Sequence, residues 1–148
     1  MEIIKERSRD NSRTPMQWDD SQNAGFTTGT PWLKVADNAK EINVQTALSN
    51  KASIFYFYQK LIALRKEHPV IQTGDYTPCL TEEDSIIAYK RSNETTSLLS
   101  IHHFGSEKKK IQLPTEFLNA EVLLSNYERQ RISSELELAP YETLTLIQ

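Results

Sequence analysis

Between Arg9 and Asp20 the chain reads RDNSRTPMQWDD, with two arginines, three aspartates and a tryptophan in twelve positions and no helical or alternating period. The guanidinium of Arg9 or Arg13 presents a rigid fork of donors suited to an oxygen-rich ligand, and Trp18 offers an apolar plate. A sugar asks for that combination, because each hydroxyl must meet a directional polar group while the ring faces remain apolar. The same residues also admit a local role. Arg9, Asp10, Arg13 and Asp19 can form an ion-pair lattice that pins a loop, with Trp18 and Trp32 packed beneath it.

Other chemistries find little support. His102 and His103 are adjacent in a strand-like run, so their side chains point to opposite faces and cannot share a metal. No Cys, His and carboxylate set has ligand spacing, and no glycine-rich turn leads into a helix at phosphate-binding spacing. We therefore expect no metal and no cofactor. Cys79 is the single cysteine and sits in an alternating run beside Glu82, Glu83 and Asp84. Acidic neighbours raise a thiol pKa, so a packing role is expected. The net charge is -3 and the only basic run is Lys108 to Lys110, which argues against nucleic acid as a partner. No apolar stretch is long enough to span a membrane, and MEIIKERSRD lacks a signal-peptide core, so a cytoplasmic location is expected.

The elements that would carry these residues fall into three stretches. Residues to about 48 read as irregular, with NAGFTTGTPWL rich in Gly, Thr and Pro. A loop of that length usually serves a function or leans on other structure. In SNKASIFYFYQKLIALRKEHP, Ser49 or Asn50 is the expected N-cap, and Ile54, Phe57 or Tyr58, Leu61 and Leu64 recur at helical spacing. Arg65, Lys66 and His68 place positive charge in the last turn, and Pro69 ends it. Beyond Gly74 the period becomes two. Strands are expected at Ser85 to Arg91, Thr96 to Phe104, Lys109 to Pro114, Ala120 to Asn126, Leu136 to Pro140 and Glu142 to Gln148, forming an antiparallel sandwich.

RDNSRTPMQWDDSQNAGFTTGTPWLKVADNAKEINV, followed by SIFYFYQKLIALRK and TGDY, resembles the C-terminal part of glycoside hydrolase family 13 α-glucosidases. That group contains oligo-1,6-glucosidases, dextran glucosidases and trehalose-6-phosphate hydrolases. The resemblance runs from about Ser8 to Tyr89 and continues by pattern through the later strands. Ala39 stands where the family commonly has an aromatic residue. The resemblance implies a mainly β chain: a C-terminal antiparallel β-sandwich, preceded by an irregular active-site loop and the last α-helix of a (β/α)8 barrel. It divides the chain into a remnant of the catalytic barrel over residues 1–73 and the sandwich over residues 74–148.

By matching position, Arg9 resembles the arginine that binds the non-reducing-end glucose, and Arg13 the arginine bordering the neighbouring subsite. A retaining glycosidase works with two carboxyl groups about 5 Å apart. In this family they come from earlier barrel strands, so no catalytic residue is expected in this chain. The complete enzyme would take an α-1,6-linked oligosaccharide or phosphotrehalose. The chain by itself is expected to give structural support without hydrolysis, and to self-associate through its helix. A stand-alone carbohydrate-binding or interaction module is the alternative. Both tryptophans lie outside the strands, which counts against it.

Overall fold

The computed structural model describes residues 9–129 and 132–148, with the backbone alone at Arg9 and Asn11. The described residues divide into two compact units, one ending at Ala63 and the other spanning Leu64–Gln148.

The first unit is mostly loop. A 3-10 turn covers Arg9–Ser12, and a second turn with positive φ at its centre covers Gln22–Gly25. Helix α1, Val44–Ser49, then occupies a stretch read from sequence as irregular. Asn43 explains it: its extended backbone places the side chain to accept from Thr46 N at 2.8 Å while donating to Ala39 O at 2.9 Å. A cap of this kind starts a helix that is too short to show a period. Helix α2, Ile54–Glu67, follows. The sequence placed its N-cap at Ser49 or Asn50, whereas Asn50 closes α1 and turns the chain by accepting from Ala52 N at 3.0 Å. Ser53 O receives Phe57 N, so the helix enters one turn later. No residue of α2 is buried.

The second unit holds the last turn of α2, the short helix α3, Val70–Thr73, and seven strands: β1 Asp75–Cys79, β2 Ile86–Ser92, β3 Ser97–His103, β4 Lys109–Gln112, β5 Glu121–Ser125, β6 Glu135–Leu138 and β7 Thr143–Ile147. The six expected strands are all present, and β1 adds the edge. A five-stranded antiparallel sheet runs β1-β2-β3-β7-β5, and β4 pairs with β6 in a second sheet. Alternation delivers the core. Ile86, Ala88, Leu99, Ile101, Leu144 and Leu146 face Ile111, Leu136 and Leu138 of the second sheet, and Phe117 fills the cluster from a 3-10 turn. Cys79 packs at the edge of that cluster. Between Val122 and Leu124 the register of β5 shifts, a bulge that sets Val122 opposite Leu146, where it packs on the apolar cluster, and Leu124 opposite Thr145 on the other face.

His102 and His103 lie on opposite faces, as adjacent strand positions must. His103 is buried and its Nδ1 lies 2.8 Å from Ala139 O. His102 stacks on Tyr89 between the hydroxyls of Ser100 and Thr143, and burial lowers its pKa below the ordinary value.

Candidate functional site

The sequence singled out the strip from Arg9 to Trp18, and the structure presents it on a braced loop. The Arg9 backbone opens the first 3-10 turn, while its side chain lies outside the described residues. Arg13 donates its backbone N–H to Asp10 O at 3.1 Å, and its side chain is exposed. Pro15 is buried and anchors the strip from below. Beyond it, Gln17 O accepts Val44 N at 2.9 Å and Trp18 O accepts Gln45 N at 3.0 Å. The Gln17 amide reaches Asn38 Oδ1 and Ile42 O. The first turn of α1 thus holds Gln17 and Trp18 by their backbone, and the Arg13 and Trp18 side chains are exposed.

The other brace is a left-handed turn. Asn23, Ala24 and Gly25 have φ of 54°, 54° and 66°. An alanine in that region costs about 1–2 kcal/mol, offset here because Ala24 is buried and its carbonyl accepts Trp18 N at 2.8 Å. Asn23 tolerates the geometry, and its amide donates to Thr27 O at 3.0 Å and Gly29 O at 2.8 Å. At Gly25 a Cβ would lie 2.7 Å from the Asp19 carboxylate, so a side chain there would push Asp19 aside. Asp19 accepts from both the hydroxyl and the amide of Ser21, which hold its carboxyl below the ordinary value. It is a loop-holding group.

Two features differ from the local ion-pair reading. Trp18 is 51% exposed and Trp32 94% exposed, so neither is packed beneath a lattice. Gln17, Asn23 and Asn43, which the sequence reading did not single out, prove to be the residues that shape the strip. Their signal was an amide-bearing side chain beside a turn, which is too common to stand out.

Neither of two clefts among the described residues includes Arg13. A 190 Å³ cleft in the first unit is lined by Ser21, Asn23, Val35 and Ala39 among others and does not include Arg13. It is smaller than the roughly 300–1,000 Å³ usual for a ligand pocket. A 320 Å³ cleft in the second unit is bordered by Arg129 and Glu142, which are committed to one another. Among the described residues, no three His, Cys, Asp or Glu side chains gather to hold a metal.

Comparison with known proteins agrees with this geometry. Residues 1–74 match the family described as alpha amylase, catalytic domain, and residues 86–144 match the alpha-amylase SusG C-terminal domain. The chain is 46% identical to an oligo-1,6-glucosidase of Halalkalibacterium halodurans over 96% of its length. It is 42% identical to a trehalose-6-phosphate hydrolase of Bacillus subtilis, again over 96%. Each alignment spans 26% of the relative, so the chain covers about a quarter of the proteins it matches. The crystal structure of Bacillus licheniformis trehalose-6-phosphate hydrolase superposes with a TM-score of 0.87 at 44% identity, covering 99% of this chain and 27% of that one. A trehalulose synthase mutant in complex with sucrose superposes with a TM-score of 0.84 at 38% identity, covering 95% and 26%.

Proposed function

The chain belongs to the alpha-amylase family, glycoside hydrolase family 13, and on that premise we propose that it is the C-terminal part of a retaining α-glucosidase. The substrates we assign to the whole enzyme are oligosaccharides with α-1,6 links or phosphotrehalose, in keeping with the named activities of its relatives. Within that enzyme Arg9 orients the non-reducing-end glucose and Arg13 borders the site of the leaving group. A guanidinium serves both tasks, because its fork meets two sugar hydroxyls at fixed geometry.

One observation carries the reading: the strip matched to the catalytic domain exposes Arg13 and Trp18 while its backbone is braced from both sides. Such preorganisation suits a ligand-facing loop, since the backbone need not be ordered on binding. The chain supplies the rim of a site whose carboxylates belong to earlier barrel strands. Pure 148-residue chain should therefore release no p-nitrophenol from p-nitrophenyl α-glucoside above background. Turnover that rises with chain concentration and disappears in Arg9→Ala would overturn the assignment.

We also propose that the chain self-associates through α2. Ile54, Tyr58 and Ile62 recur every four residues and are 82%, 63% and 48% exposed. An apolar stripe of that kind favours burial against a second surface. Light scattering should show mass rising with concentration, and Ile54→Glu with Ile62→Glu should return it to that of a monomer. A cytoplasmic location completes the proposal, supported by the free thiol of Cys79. No described helix is long and apolar enough to cross a membrane.

A further inference from the structure

Arg91 on β2 makes an unusual set of bonds for a surface arginine. Its Nε donates to Val70 O at 3.2 Å, and its Nη2 donates to Gly74 O at 2.7 Å and to Gln72 O at 3.3 Å. Gln72 O and Gly74 O lie at the C-terminal end of α3, where carbonyls lack intrahelical partners, and Val70 O, which already accepts Gly74 N at 3.1 Å, takes Arg91 as a second donor. The turn is held closely. Val70 is 1% exposed, and at Gly74 a Cβ would come 2.6 Å from Val70 O and 3.1 Å from Ser92 N. Gln72, whose carbonyl Arg91 takes, sends its own amide back to Arg65 O at 2.8 Å. Arg65 lies in the last turn of α2.

We propose that Arg91 is the positioning residue of the joint between helix and sandwich. One guanidinium caps the end of α3 and, through Gln72, fixes the last turn of α2 to the sheet. The inference rests on reading the sandwich as support for the catalytic part, and it names a residue that ties the last turn of α2, within the second unit, to that sandwich. The chemistry is specific to arginine: a planar fork reaches carbonyls in several directions at once, whereas a lysine ammonium on its flexible stem reaches one or two. Gly74 is the complement, because a Cβ there would meet the Val70 carbonyl at 2.6 Å.

Residue-resolved amide hydrogen exchange on the whole chain tests the joint. In Arg91→Met, exchange at Ile71 to Gly74 should rise at least about tenfold, the scale set by losing hydrogen bonds to a charged donor. Exchange at Leu99 and Leu144 in the sheet should stay within about twofold of the parent. Arg91→Lys should fall between the two. Millimolar methylguanidinium added to Arg91→Ala should slow exchange at Ile71 to Gly74, and methylammonium should not. Unchanged exchange at the joint in Arg91→Met overturns the proposal. So does an equal rise in joint and sheet, which would make Arg91 a general stabiliser, and so does rescue by methylammonium. If Arg91→Met does not fold, the decision passes to Arg91→Lys on the same criteria. Turnover of p-nitrophenyl α-glucoside is a separate readout: hydrolysis by the pure chain would sink the proposed function and leave the joint standing.

Discussion

Glu142 is 1% exposed, yet it carries a charge with every oxygen in use. Arg129 donates Nε to Oε1 at 2.7 Å and Nη2 to Oε2 at 2.8 Å, and Ala139 N reaches Oε2 at 2.8 Å. The same Arg129 Nη2 holds Glu137 O at 3.0 Å, so one ion pair ties the ends of the segment between β5 and β7. Tyr127 and Asn126 bind the carbonyls of Pro140 and Tyr141 alongside it. Removing one partner of a buried pair strands the other charge, at a cost of about 3–5 kcal/mol. Glu142→Gln should therefore lower the urea midpoint of the sheet by that equivalent, whereas Arg129→Met with Glu142→Leu should lose much less. Equal losses in the single and double variants would refute the pairing argument. Nothing in the sequence announced this pair, because its members stand thirteen positions apart with no period linking them. Arg9 and Arg13 stood out for the opposite reason: they sit in a contiguous, non-periodic motif.

Among elements, periodicity told most where elements were long. α2 repeats its apolar residues over fourteen positions, and β7 alternates leucine with threonine cleanly enough to mark its inward face, whereas β3 is buried at four consecutive positions, Leu98 to Ile101, on both faces. α1 and α3 have six and four residues and are set by Asn43 and by Arg91, local and distant partners that a pattern cannot show. The turn Thr115–Phe117 is the instructive case. Its sequence, PTEFLN, reads as punctuation between strands, yet Phe117 is 0% exposed and plugs the space between the two sheets. A ring buried this fully is part of the core whatever its secondary structure. Phe117→Ala should cost about 3–5 kcal/mol, transfer and cavity terms together, while Glu116→Ala, on the exposed side of the same turn, should stay within about 0.5–1 kcal/mol. Thermal unfolding followed by far-ultraviolet circular dichroism compares them directly. A Phe117→Ala loss no larger than that of Glu116→Ala would mean that the turn is peripheral to the core.

At the scale of the whole molecule, the two units draw on different sources of stability. Every member of the main apolar cluster lies within the second unit, from Ile86 to Leu146, so the sandwich carries its own core. The first unit is held chiefly by hydrogen bonds around Gln17, Asn23 and Asn43, with Pro15 and Ala24 as small buried contacts. Such bonds add only about 0.5–1.5 kcal/mol each in net terms. Apolar burial adds about 25 cal/mol per Å², which favours the sandwich heavily. The first unit should accordingly yield at lower denaturant. Both tryptophans, Trp18 and Trp32, belong to it, and all seven strands belong to the second. Tryptophan fluorescence and the strand signal in circular dichroism thus report on separate units of one chain. In a urea titration the fluorescence transition should fall below the dichroism transition, and Phe117→Ala should move only the latter. Coincident curves that shift together in that variant would show one cooperative body, and would remove the physical basis for treating the sandwich as the part that supports and the loop as the part that is supported.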